Sequence, residues 1–181
     1  MSRKYKFHNK DGVYFVSFAV VYWIDLFVRE QYSDLFISTL KYYADSRLEL
    51  FAYCIMPSHI HLIFRDRNKE PDKLLGNIKR YASQQLQKEI ARNNQESRKN
   101  WMLWMMEHAA SKESNVHNRK LWQHHNQPIE LWSYAVALQK LNYIHNNPVK
   151  AGLVTDAAAW KYSSAVNYEG GKGMMDVILI Y

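Results

Sequence analysis

A single cysteine, Cys54, excludes an internal disulfide framework and makes a reducing cytoplasm the expected compartment. Long apolar runs are missing too. Residues 13–28 are apolar-rich, but Ser17, Tyr22, Trp23 and Asp25 interrupt them, so they read as a buried strand and loop, not a membrane span. No signal-peptide apolar stretch follows the basic opening Met1-Ser2-Arg3-Lys4-Tyr5-Lys6, and a soluble intracellular protein is expected. Glycine and proline are sparse, 6 and 4 in 181 residues, and no internal repeat or low-complexity tract appears. Acidic residues are in deficit: 17 Asp and Glu face 24 Lys and Arg, a net charge of +7. The basic residues recur along the whole chain, so the imbalance points to an anionic partner, nucleic acid first.

The hydrophobic fraction of 48% against 23% charged residues suits one soluble domain with a sizeable core. Residues 13–20, rich in β-branched and aromatic side chains after the turn signal Asp11-Gly12, predict a strand. Ser33 is the expected cap of a helix reaching about Ser46, and Asp72 of a second helix with Leu74, Leu75, Ile78, Tyr81, Ala82, Leu86 and Ile90 on its apolar face. Between them, residues 48–56 and 58–64 predict a hairpin. Arg92 to Lys99 reads as a surface loop, Trp101 to His108, aromatic and methionine-rich, as core or subdomain packing, and Ile129-Glu130-Leu131 as a short strand. Ser133 predicts the start of a helix ending near Pro148; Gly170-Gly171-Lys172-Gly173 predicts a flexible break, and Val177 to Ile180 an edge strand. This order predicts an α+β class, a ferredoxin-like split βαβ sandwich with an antiparallel sheet.

Two clusters carry chemistry. In a strand, His59 and His61 share one face while Ile60 and Leu62 share the other, so two imidazoles stand side by side as a candidate chelating pair. Surface or hydrogen-bonded histidines are the plain alternative. On a helix, Tyr143 and Asn147 lie four residues apart on one face, offering a phenol nucleophile and a neutral oxygen ligand; a core tyrosine and a capping asparagine are the plain alternative there. Pro148 places Asn147 at the helix end, in backbone free to adjust. His145 points to a different face and is not the expected base.

These clusters resemble the HUH single-strand nucleases, and among them the single-tyrosine transposases related to the REP-associated tyrosine transposases. Four blocks carry the resemblance, in the family's order: Met56-Pro57-Ser58-His59-Ile60-His61-Leu62-Ile63, Lys79-Arg80-Tyr81-Ala82-Ser83, Tyr143-Ile144-His145-Asn146-Asn147-Pro148 continuing to Val154, and Trp160-Lys161-Tyr162-Ser163-Ser164. The resemblance implies an HUH domain over residues 1–165 with 92–118 as an insertion, and a C-terminal extension over 166–181. It implies His59, His61 and Asn147 as ligands of magnesium or manganese, with asparagine where many members carry glutamine. Tyr143 would be the nucleophile, and Lys79, Arg80 and Tyr81 would contact single-stranded or hairpin DNA. The implied reaction is DNA cleavage and rejoining through a 5′-phosphotyrosine, in a cytoplasmic, nucleoid-associated protein that makes no membrane contact. Relatives act either as homodimers that exchange the tyrosine helix or as monomers. The rival from another class is a nucleic-acid-binding protein that keeps the fold without cleaving. A third reading is a metal-dependent hydrolase in which water attacks, leaving no covalent adduct.

Overall fold

Side-chain alternation along two strands decides how this chain packs. The structure, a computed structural model, describes residues 6–112, 118–124 and 126–181. Arg3 and Lys4 of the basic opening lie outside the described residues, as do residues 113–117 of the expected insertion. Strand β1 (Tyr14–Ala19) leads through two short turns into helix α1 (Glu30–Ala44); β2 (Leu48–Ile55) and β3 (His59–Asp66) follow as a hairpin. Helices α2 (Pro71–Arg92) and α3 (Lys99–Ser111), strand β4 (Ile129–Glu130), helix α4 (Tyr134–Lys150) and the single turn α5 (Ala165–Tyr168) complete the order.

The sheet order is β2-β3-β1-β4 with every pairing antiparallel, the split βαβ arrangement expected from the sequence. Phe18, Ile60, Leu62 and Phe64 point to one face, where α1, α2 and α3 cover them with Phe36, Leu40, Leu74, Ile78 and Met106. Phe15, Cys54 and Ile63 point to the other, where Leu141 and Ile144 of α4 form a smaller core. The strand alternation therefore gives His59 and His61 to the α4 face.

Several boundaries differ from expectation. Helix α1 begins at Glu30, because the Ser33 hydroxyl is buried and spent on the Phe27 carbonyl 3.1 Å away instead of capping the helix. Helix α2 begins at Pro71, whose fixed φ suits the first helical position, so Asp72 lies inside it. Helix α4 is capped by Ser133, which accepts from the Val136 N–H at 3.3 Å, and it runs through Pro148 to Lys150. It stops in a Schellman motif: Gly152 takes φ +69°, its N–H reaches the Val149 carbonyl, and the Leu153 N–H reaches the Pro148 carbonyl. The largely exposed stretch 170–173 turns at Gly170, φ +82°, and its glycines pass close to α5: a Cβ on Gly171 would sit 2.6 Å from Val166 and one on Gly173 2.3 Å from Asn167. Residues 177–180 form no strand. Ile178 instead makes one backbone bond to Leu50, and with Tyr162 and Ser164 bonding to Ile55 and Tyr53 it covers the outer edge of β2.

The β3–α2 junction rests on Asp66. Its buried carboxylate accepts from Arg47 Nε at 2.8 Å and from the N–H groups of Asn68 and Glu70 at 3.2 and 2.9 Å. Burial pushes its pKa up, but these donors outweigh burial and hold it below the ordinary value. Asp66→Asn leaves Arg47 without its counter-charge and is expected to cost about 2–4 kcal/mol in urea unfolding. The stabilisation is complete above the unfolded carboxyl pKa and fades as pH falls through the folded one, so the variant's deficit should shrink in acid. A deficit that stays constant with pH would refute this.

Candidate active site

Strand β3 and helix α4 build the site between them. His59 and His61 ring centroids lie 4.8 Å apart, and His61 packs 5.4 Å from the Tyr143 ring. Phe15 stacks on His61 at 5.8 Å and meets Tyr143 edge-on at 5.9 Å, so both rings rest on one apolar wall. Tyr143 remains 41% exposed, open to a large substrate. Lys140 and Lys150 place their ammonium groups 5.7 and 5.9 Å from the Tyr143 ring centroid. Residues 140, 143, 147 and 150 form a single stripe of α4, spaced by three and four.

His61 is buried, and neither ring nitrogen has a hydrogen-bond partner. Orphaned imidazole nitrogens are costly, and a ring with an uncommitted lone pair has the chemistry of a metal ligand. Burial, then His59 and Lys140, depress its pKa to about 3; burial likewise lowers that of His59. Both rings are therefore neutral at physiological pH, the form that coordinates metal. The Asn147 Nδ2 donates to the Tyr143 carbonyl at 3.1 Å, so the amide oxygen is the atom with ligand chemistry. Among the described residues, no three His, Cys, Asp or Glu side chains converge as a metal set. Two imidazoles and an amide oxygen nonetheless fit a divalent cation that also binds an anionic substrate.

The remaining sequence candidates sit elsewhere. Lys79 turns inward: its ammonium lies over the Phe18 ring at 5.0 Å and donates to Asn126, and burial, then Lys120, lowers its pKa to about 8. Arg80 is exposed and bonds to Asn77, while Tyr81 stacks on Tyr42 of α1. These three residues belong to α2, on the sheet face opposite Tyr143. His145 is buried, shares a 2.9 Å hydrogen bond with the Ser164 hydroxyl and packs against Tyr168, which fixes α4 to β2 and the C-terminal segment.

A profile described as "Transposase IS200 like" matches residues 14–126, from β1 through the histidine pair to the approach to β4. The chain belongs to the IS200-like transposase family. Over 169 residues, 91% of this chain and 85% of the other, it is 25% identical to a Haemophilus influenzae protein named as a REP-associated tyrosine transposase. Its fold is similar to the structure of a REP-associated tyrosine transposase bound to a REP hairpin, with a TM-score of 0.55 at 18% identity, covering 100% of this chain and 94% of that one. Among the described residues, no helix is long and apolar enough to cross a membrane.

Lys140, Lys150 and the Phe15 wall went unnoticed in the sequence. The lysines had a legible signal in their helical spacing from Tyr143; Phe15 had none, since only the β1–β3 register brings it beside His61. Burial gives the site an acid liability. His145, like His61, has its pKa depressed by burial, here to about 4, so between pH 6.5 and 4 the unfolded chain binds protons that the native state refuses. Stability should fall across that window, by on the order of a few kcal/mol. Thermal melts from pH 7.5 to 4.5 should show a declining midpoint, and His145→Gln should flatten part of the slope. A flat parental profile would contradict the assigned burial.

Proposed function

We propose that this protein cleaves and rejoins single-stranded DNA beside a hairpin, through a covalent 5′-phosphotyrosine on Tyr143. The observation that carries the reading is the packing of an exposed phenol against a buried, neutral, unpartnered His61. The likeness to a structure bound to a REP hairpin supports hairpin DNA as substrate. His59, His61 and Asn147 would hold magnesium or manganese, which when bound polarises a phosphate oxygen. The Tyr143 oxygen attacks phosphorus; the new O–P bond forms as the bond to the leaving 3′ oxygen breaks, releasing a 3′-hydroxyl. Lys140 and Lys150 hold positive charge beside the phenol, favouring approach of the phosphate. The phosphotyrosine conserves the energy of the phosphodiester, so a second 3′-hydroxyl reverses the step without ATP.

A protein acting on DNA in this way would work in the cytoplasm, at the nucleoid. The test is a denaturing gel of end-labelled hairpin DNA with manganese or EDTA. A metal-dependent protein–DNA adduct is expected. Cleavage without an adduct would favour the hydrolase, and binding without cleavage the non-catalytic DNA binder.

A further inference from the structure

Tyr22, Trp23 and helix α3 build a surface that the cleavage chemistry does not use. Helix α3 turns Met102, Met106, Ala109 and Ala110 inward. Its outer stripe carries Trp101, Trp104, His108 and Lys112, aromatic rings where a solvated helix ordinarily presents charge, and Trp101 and Trp104 are 46% and 57% exposed. The rings are ordered against one another. Trp104 stacks on His108 at 5.5 Å and 8°, His108 faces Tyr22 at 6.3 Å and 25°, and the Lys112 ammonium stands 5.6 Å from the Tyr22 centroid.

Both Tyr22 and Trp23 adopt left-handed backbone, φ 54° and 56°, which is costly for bulky residues. Strain of this kind, spent on rings that stay exposed, marks side chains held out for a partner. The Trp23 and His59 rings meet edge to face with centroids 5.6 Å apart, so the surface is continuous with the histidine and tyrosine site. A cleft of about 370 Å³ opens beside it, lined by Tyr22, Trp23, Lys112, Lys120 and Gln123 among others.

We propose that this surface is a subsite for unpaired nucleotides of the DNA strand leaving the cleavage site, a proposal that rests on the function inferred above. Only unpaired bases expose a free π-face to Trp104, Tyr22 and Trp23, and Lys112 supplies the cation for the intervening phosphates. From Trp101 to Lys112 the stripe spans about 16 Å, room for several nucleotides. A duplex stem has no ring face to offer and belongs elsewhere on the protein.

Fluorescence anisotropy tests this in the non-cleaving Tyr143→Phe background, with a blunt hairpin, the same hairpin carrying a single-stranded flank, and a short oligo-dT. Trp104→Ala should weaken binding of the flanked hairpin and oligo-dT about tenfold and leave the blunt hairpin within about twofold. Trp104→Phe should retain most of the affinity, and Lys112→Ala should reduce the salt slope by about one. With Tyr143 restored, a Trp104→Ala protein that forms adduct and binds every DNA like the parent overturns the subsite and leaves the function standing. So does a Trp104→Ala protein whose sedimentation changes while its DNA affinity does not, which would make the stripe a self-association face. A parent that neither binds nor cleaves hairpin DNA removes the function and the subsite together.

Discussion

Tyr143→Phe is expected to abolish the covalent protein–DNA adduct, by at least about a thousandfold, while leaving fold and hairpin binding intact. The substitution deletes one oxygen from an exposed ring. Its contacts with His61, Phe15 and the two lysine ammonium groups belong to the ring and survive, so stability should change by no more than about 0.5 kcal/mol. Adduct and cleavage should disappear together. An adduct that persists in the phenylalanine variant would move the nucleophile to another residue. Cleavage that continues without an adduct would show that water attacks and that Tyr143 only packs.

The second large effect has two opposite signs. His61→Leu is expected to raise stability by about 1–2 kcal/mol and to eliminate metal-dependent cleavage. In the native protein both His61 nitrogens are buried without a partner, and the neutral ring is retained only because charging it there is worse. Leucine fills similar space against Phe15 without a polar atom to desolvate. At this chain length the unfolding midpoint should rise by about 2–8 °C. Calorimetric titration with manganese should show binding to the parent and none to the variant, and adduct formation should fall by about a hundredfold or more. A leucine variant that is less stable and still cleaves would remove His61 from the reaction. The combination expected here, gain in stability with loss of chemistry, is the signature of a residue kept for function and not for folding.

Acid provides an independent handle on the same site. The depressed pKa values of His59, His61 and His145 share one leading cause, burial, yet the three rings do different work. His145 satisfies its nitrogen on Ser164 and anchors α4, whereas His61 meets no partner at all. Loss of His145 should therefore loosen the helix that presents Tyr143, and loss of His61 should not.

The sequence by itself determined the pairing of His59 with His61 on one strand face and of Tyr143 with Asn147 on one helix face, because strand and helix periodicity are local properties of the backbone. It also determined the order β1, α1, β2, β3, α2, β4, α4 and hence the split βαβ class, since alternating and helical hydrophobic patterns leave few ways to bury both faces of the sheet; helix α3 was not legible, because Trp101 and Trp104 leave its outer face aromatic and blur the helical pattern. Helix ends were less legible. Ser33 and Asp72 look like caps, but whether a hydroxyl or carboxylate caps a helix depends on what else competes for it, as the Phe27 carbonyl does for Ser33. What only the tertiary structure decided are the meetings across elements. Sheet register set Phe15 beside His61, the turn after β1 set Trp23 beside His59, and the docking of α4 set Tyr143 against His61 with two lysines beside the phenol ring. It also turned half-buried Lys79 toward Phe18 and Asn126 and put Arg80 and Tyr81 on the far face of the sheet. Local periodicity says which side chains share a face; which face meets which is fixed by the burial of apolar surface summed over the whole chain.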